Sequence, residues 1–234
     1  MSELVFGTGG RFGRLNPRLC QRLVDYAYAL GIRTFDTGYY YSRGLSQKKL
    51  FTSLLPYLSD PDLKVTSKLP ATNPSLLEGL VDNILKQLDR DYIDVLFMWG
   101  PTIDELRNPL LSRTLESIIN SGKVCRIGVN THDSFVMTNL HSLDLYSTIS
   151  DVMVDYSLIQ ADRSSIIQNL SDDGKLVWAG TVLAQGFLIQ SLFQQFLRTR
   201  SFSYLFRAIF NPPTRQLLKE AAPIRRHLLR NHSD

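Results

Sequence analysis

Three residues with acid–base side chains lie at the ends of two neighbouring β-like segments of the sequence. Asp36 ends Thr34-Phe35-Asp36, Tyr41 follows five residues later, and Lys68 ends Val65-Thr66-Ser67-Lys68. In a parallel barrel, polar residues at or just after the ends of successive strands point into one bowl. A carboxylate, a phenol and an ammonium gathered there predict acid–base chemistry.

The elements that would position these residues alternate between β-like and helical periodicity, which is typical of βα units. The predicted strands are residues 4–6, 34–36, 63–67, 92–99, 123–130, 149–154 and 176–183. Between them, helical spacing of apolar residues predicts helices over 17–30, 45–55, 74–88, 106–119 and 166–170. The sequence therefore predicts an α/β fold with seven βα units in residues 1–190, followed by a basic helical tail over 191–234.

Length and composition limit the classes of protein to which the chain can belong. A chain of 234 residues with 44% apolar and 21% charged residues is typical of a globular protein with one large core. No apolar run approaches the ~20 residues of a membrane helix, and no secretory signal is apparent. Cys20 and Cys125 have neither disulfide nor zinc spacing, so we expect both to be small buried residues in a reducing cytoplasm.

The basic charge is concentrated near the C-terminus. Eight Lys or Arg residues lie between Arg198 and Arg230, where Glu220 is the single acid. Such a tail can approach an anionic ligand, an acidic partner or nucleic acid. The favoured alternative is a pair of amphipathic helices with a solvated basic face, and nucleic-acid binding is disfavoured because no nucleic-acid recognition motif accompanies the charge.

A glycine-rich turn, Gly7-Thr8-Gly9-Gly10, follows the first predicted strand. A dinucleotide-binding fingerprint needs a third glycine that opens a helix at once, but Phe12 occupies that position and Pro17 delays the helix. We therefore interpret these glycines as a tight turn or as space beneath a bound ligand.

Several motifs together resemble the aldo-keto reductases. The resemblance rests on Gly31-Ile32-Arg33-Thr34-Phe35-Asp36-Thr37 with Tyr41, on Ser67-Lys68, and on residues 88–95, 122–129, 155–160 and 183–188. These motifs occur in the family's order over most of the first 190 residues. The resemblance implies a TIM-type (β/α)8 barrel, a small-molecule carbonyl or alcohol substrate, and hydride transfer with NADP(H).

The resemblance also assigns roles to individual residues. Tyr41 would be the proton donor, with Lys68 lowering the pKa of its phenol and Asp36 holding Lys68 charged. The alternative is a buried salt bridge beside a core tyrosine. The implied cofactor-binding residues are Gly9, Asp36, Asn130, Thr131 and Asp155, and the expected substrate-binding residues are Tyr39, Tyr40, Met98 and Trp99.

The sequence departs from the family pattern at several positions. Trp99 stands where the family usually has a histidine that orients the substrate carbonyl, Asn130-Thr131 replaces a Ser-Asn pair, and Met153 replaces a glutamine. No aromatic residue near 179–181 is offered to stack on a nicotinamide ring. His132, on the loop after the fifth strand, is the candidate replacement for the missing imidazole, or else a local hydrogen-bonding residue.

The largest departure follows the seventh strand, where the family continues with an eighth βα unit. We expect an open seam between the first and seventh strands, covered by the tail helices with their apolar residues 201–210, by a second copy or another partner chain, or through a large reorganisation. Three functions then compete. The first is an aldo-keto-reductase-like oxidoreductase. The second is a cofactor-free lyase, isomerase or dehydratase using Tyr41 and Lys68. The third is a non-catalytic scaffold.

Overall fold

The computed structural model describes residues 3–9, 11–199, 206 and 209–231. The strands are β1 (Val5–Gly7), β2 (Thr34–Asp36), β3 (Lys64–Leu69), β4 (Ile93–Trp99), β5 (Val124–Thr131), β6 (Ile149–Asp155) and β7 (Leu176–Gly180). The longer helices are α1 (Pro17–Ala29), α2 (Leu45–Leu54), α3 (Leu77–Leu88), α4 (Ile103–Leu106), α5 (Pro109–Asn120), α6 (Ser134–Asn139), α7 (Ser164–Asp172), α8 (Leu192–Thr199) and α9 (Pro212–Asn231).

The strands occupy the sheet in chain order, from β1 to β7. Neighbouring strands from β1 to β5 pair in parallel, with Lys68 opposite Phe97 and Trp99 opposite Asn130. Parallel strands in chain order, connected by helices, are the arrangement of a (β/α)8 barrel. The predicted fold class is confirmed: a TIM-type fold with seven of its eight strands in the described residues, followed by a C-terminal helix.

The chain divides into two compact units. The first runs as far as Val152 and includes Asp173–Leu176, while the second comprises Met153–Asp172 and the residues from Val177 onward. The division expected at residue 190, between a barrel and a tail, stays a prediction.

Local signals in the first unit explain several of its elements. The Asn16 side chain accepts a hydrogen bond from the Leu19 N–H at 2.8 Å, and Pro17 opens α1, as the sequence predicts. The fourth strand is buried throughout its centre, which agrees with its continuous apolar run. Cys20 is buried, but Cys125 is exposed, so the prediction of a buried Cys125 is wrong. Cys125 alternates with buried Val124 along β5 and therefore points to the other face.

In the second unit, α9 packs against the segment that follows β7. Its Ala221 belongs to a buried apolar cluster with Ala184, Phe187 and Leu188. The Arg225 guanidinium donates to the Phe187 carbonyl at 2.8 Å, so a polar contact reinforces this packing. Within the described part of the chain, no helix has the length and apolar character needed to cross a membrane.

The expectation that residues 201–210 cover a seam falls mostly outside the described residues. Phe206, Ile209 and Phe210 are described, and all three side chains are exposed. Of the basic residues in the tail, Arg200 and Arg207 also lie outside the described part.

An ion pair in the first unit whose carboxylate is buried gives a stability test. Asp151 is fully buried and accepts hydrogen bonds from Arg126 Nε at 2.9 Å and Nη2 at 3.3 Å. We expect Arg126→Met to lower the free energy of unfolding by about 3 kcal/mol, because it leaves a buried carboxylate without its cation. Urea unfolding of the purified variants measures this.

The matched control is Arg107→Met, which removes the exposed Arg107–Asp104 pair. Its expected cost is below about 1 kcal/mol, because solvent screens exposed pairs. If Arg126→Met and Arg107→Met lose equal amounts of unfolding free energy, the burial of Asp151 is not the cause of the loss.

Candidate active site

The site is built on a buried ion pair between the ends of β2 and β3. Lys68 Nζ donates a hydrogen bond to Asp36 Oδ1 and another to the Thr37 carbonyl at 3.1 Å. The same carboxylate oxygen accepts the Thr66 hydroxyl at 2.7 Å. Lys68 is 1% exposed and Asp36 8%, so the ion pair is shielded from bulk water.

Strand register explains why these side chains meet. Asp36 lies opposite Thr66 in the parallel pairing of β2 with β3. Lys68 follows Thr66 by two residues, and side chains two residues apart share a face of a strand. Both therefore face Asp36 from the neighbouring strand.

Two opposing effects act on the Lys68 ammonium. Burial lowers its pKa from the ordinary value, and the negative charge and hydrogen bond of Asp36 work in the opposite direction. The ammonium nitrogen lies 5.5 Å from the centroid of the Tyr41 ring and 5.5 Å from that of Phe97. The Lys68 nitrogen therefore lies within range of two aromatic rings as well as its carboxylate.

Tyr41 is held on a turn after β2 by close packing against glycine. Its N–H donates to the Gly38 carbonyl at 2.9 Å. A Cβ at Gly38 would lie 2.9 Å from Tyr41 Cε1 and 3.1 Å from Cζ, so only glycine leaves the ring where it is. The ring also packs against Trp99 in a T-shaped arrangement, with centroids 5.8 Å apart and planes at 86°.

Three buried threonines make hydrogen bonds next to the ion pair. Thr8, just after β1, donates through its N–H to the Asp36 carbonyl at 3.0 Å. Its hydroxyl lies within hydrogen-bonding distance of the same carbonyl, at 3.1 Å, and of Thr37 Oγ1, at 2.8 Å. Thr8, Thr37 and Thr66 are each 0% exposed. Sequence reasoning missed all three, although the two-residue spacing from Thr66 to Lys68 was a usable signal.

Most of the chain matches a known protein family. Residues 3–196 match the family model described as "Aldo/keto reductase family". The chain belongs to the aldo/keto reductase family. No sequence among curated proteins matches it significantly.

Two solved structures show the same fold. Aldo-keto reductase AKR11C1 from Bacillus halodurans, in its holo form, has a TM-score of 0.67 and 21% identity, over 81% of this chain and 65% of that one. Aldose reductase from Giardia lamblia has a TM-score of 0.59 and 22% identity, over 76% of this chain and 65% of that one. The chain thus covers slightly less than two thirds of each of these aldo-keto reductases.

The structure brings most of the expected site residues of this aldo/keto reductase together in the first unit. Trp99 ends β4, is 38% exposed, and pairs in register with Asn130 at the end of β5. Asn130 and Thr131 are buried, at 6% and 1% exposure. Gly9 lies near the Tyr41 ring, because a Cβ added there would be 3.8 Å from Cε2.

The other expected residues of the first unit are Tyr39, Tyr40, Met98 and His132. Tyr39 and Tyr40 pack edge to face at 4.9 Å, and Tyr40 is exposed. Met98 is fully buried in the core, on the opposite face of β4 from Trp99. His132 is exposed on the loop that leads to α6. Their roles stay predictions.

Asp155 lies in the second unit, where its Oδ1 accepts the Thr181 hydroxyl at 3.0 Å. A Cβ at Gly180 would lie 3.6 Å from the same oxygen. Its expected role in cofactor binding also stays a prediction.

The residues at the ends of β1 and β5 fit the nicotinamide end of a cofactor. The Asn130 side-chain amide both donates and accepts hydrogen bonds, as the carboxamide of a nicotinamide requires. Gly9 has no side chain, and a Cβ there would already be in van der Waals contact with the Tyr41 ring, at 3.8 Å from Cε2. Among the described residues, no group of three His, Cys, Asp or Glu side chains is arranged to hold a metal ion.

The ion pair can be tested as a stability element. We expect Lys68→Met to lower the free energy of unfolding by about 3 to 5 kcal/mol, because Asp36 is left buried without its cation. The double variant Asp36→Asn/Lys68→Met should recover most of that loss, since neither charge is then buried. Urea unfolding of the three proteins measures it, and a double variant as unstable as the single one would contradict this account.

The packing of Tyr41 on Gly38 gives a positional test. Gly38→Ala should displace the ring from Trp99 and lower any Tyr41-dependent activity by about tenfold to 100-fold. In a Trp178→Phe background, the fluorescence of Trp99 reports the displacement without an activity assay. Gly79→Ala, whose added Cβ meets no atom within 4 Å, is the control. Unchanged Trp99 fluorescence in Gly38→Ala would refute the packing argument.

Proposed function

We propose that this aldo/keto reductase is an NADP(H)-dependent oxidoreductase that interconverts a carbonyl compound and its alcohol. The observation that carries the proposal is the buried contact of Asp36 with Lys68 beside the Tyr41 ring. Structural ion pairs are common, but this one adjoins a half-buried phenol and a partly exposed indole at the ends of strands. Family membership supports an oxidoreductase scaffold.

In this mechanism the Tyr41 phenol protonates the carbonyl oxygen. The carbonyl carbon would receive the hydride that a nicotinamide supplies when bound. The proton leaves Tyr41 Oη, and the nearby Lys68 ammonium stabilises the phenolate that remains. Asp36 keeps the ammonium charged despite its burial, and Thr37 accepts one of its hydrogen bonds. The alcohol product carries both the hydride and the Tyr41 proton.

The other expected residues take binding roles. Asn130 and Thr131 would hold the nicotinamide carboxamide, with Gly9 and Asp155 as further cofactor contacts. The Trp99 indole, 38% exposed, would donate its N–H to the substrate carbonyl in place of the usual histidine.

Two tyrosines and one histidine complete the proposed site. Tyr39 and Tyr40 would form an aromatic wall for a small-molecule substrate, while Met98 would support that wall from within the core. His132 would serve as a second proton carrier at the exposed rim.

A cofactor-free lyase, isomerase or dehydratase is the second candidate. One observation favours it: Asp36, Tyr41 and Lys68 keep the residue types of the family, whereas Asn130, Thr131 and Met153 depart from the types at its cofactor-binding positions. Proton abstraction by a Tyr41 phenolate would need no nicotinamide cofactor. Activity that survives exhaustive removal of nucleotides would favour this candidate over the reductase.

We also infer a cytoplasmic location and a partner, or a second copy, on the β1 side of the sheet. β1 stands at one end of the strand order, and Leu4 and Val5 are exposed there. Sedimentation of the purified chain tests the association, and a strictly monomeric protein at all concentrations would exclude a second copy.

The reductase proposal is tested by separating cofactor binding from turnover. Tyr41→Phe should leave the Kd for NADPH unchanged and lower kcat by about 10²-fold to 10⁴-fold, because the general acid is lost. Fluorescence titration measures Kd, and NADPH consumption with a panel of aldehydes and ketones measures kcat. Tyr26→Phe, at an exposed phenol on α1, is the control. Failure of the wild-type chain to bind millimolar NADPH would overturn the proposal.

A further inference from the structure

We infer that Thr66 is a positioning residue, whose hydroxyl holds the Asp36 carboxylate in the orientation that faces Lys68. The inference deepens the proposed function, since it assigns to Thr66 a part in the acid–base site. It rests on the hydrogen bond from Thr66 Oγ1 to Asp36 Oδ1 at 2.7 Å.

The Thr66 hydroxyl contacts the Asp36 carboxylate at the same oxygen as Lys68 does. A carboxylate oxygen held by a single donor leaves more freedom of rotation about the Cβ–Cγ bond than one held by two donors from the same face of β3. Thr66 is 0% exposed, so water does not compete for the carboxylate from that side.

The main chain at Asp36 and Thr37 is also held by hydrogen bonds, one from the residue after β1 and one from Lys68. The Asp36 carbonyl accepts the Thr8 N–H at 3.0 Å, and the Lys68 ammonium reaches the Thr37 carbonyl at 3.1 Å. With the main chain held in this way, the side-chain torsion is the freedom that remains. Thr66 restricts that torsion.

The groups that titrate around the ammonium come from few elements. Asp36 faces it from β2 and Tyr41 from the following loop, while β4 contributes the Phe97 ring, which does not titrate. Burial already lowers the pKa of Lys68, and Asp36 opposes that shift. A carboxylate that is less well aimed would oppose it less, so the pKa of Lys68 would fall further.

The test compares Thr66→Val, which has the same shape without the hydroxyl, with Thr66→Ser, which keeps it. In protein carrying ¹³C-labelled lysine, the Lys68 Cε resonance is identified by its absence in Lys68→Met, and its pH titration gives the pKa. We expect Thr66→Val to lower this pKa by about half a unit or more. Thr66→Ser should titrate as the wild type does.

Thr34→Val is the matched control, because it removes another buried hydroxyl of the same sheet, one that donates to Glu3. It should leave the Lys68 titration unchanged. If Thr66→Val does not fold, Thr66→Ala is the second hydroxyl-free variant. An unchanged or raised pKa in the hydroxyl-free variant would overturn the inference, as would an equal shift in Thr66→Ser.

Turnover gives a separate readout. If the wild type reduces carbonyls, Thr66→Val should lower kcat about tenfold with the KM for NADPH unchanged, and Thr66→Ser should restore kcat. If the wild type reduces none, the reductase proposal fails, but the Lys68 titration still decides the role of Thr66. A kcat loss of equal size in both Thr66 variants would contradict positioning by the hydroxyl.

Discussion

The burial of the Lys68 ammonium is the constraint on which the site depends. An ammonium at 1% exposure is stable only beside a negative charge and hydrogen-bond acceptors. Here the Asp36 carboxylate and the Thr37 carbonyl provide them. These partners come from β2 and the residue after it, so the register of β2 against β3 must be held. Buried threonines on both sides supply that rigidity.

Tyr41 gains its position from the same local structure. The turn that begins at Thr37 brings the phenol back over Gly38, where a methyl group would already be too close. Trp99 also packs against the ring, in a T-shaped arrangement. Because an indole does not exchange a proton near neutral pH, Trp99 can donate a hydrogen bond but cannot act as a general acid.

The sequence predicted the seven strands and the meeting of Asp36 with Lys68, because strand ends in parallel sheets converge and the apolar runs were clear. It missed Thr66, although the two-residue spacing to Lys68 was a usable signal, and it could not predict the role of Gly38, which depends on the position of the Tyr41 ring. Short α6 was missed because six residues carry little periodicity. The cysteine prediction was wrong at Cys125 because composition does not say which face of β5 a residue occupies.

Isotope transfer from NADPH deuterated at C4 of the nicotinamide is the direct test of hydride transfer at this site. With the wild-type chain and an aldehyde substrate, the account predicts deuterium on the alcohol carbon. It also predicts that Tyr41→Phe greatly slows this transfer while NADPH still binds. An alcohol product without deuterium, or transfer at the wild-type rate in Tyr41→Phe, would contradict hydride transfer assisted by Asp36, Lys68 and Tyr41.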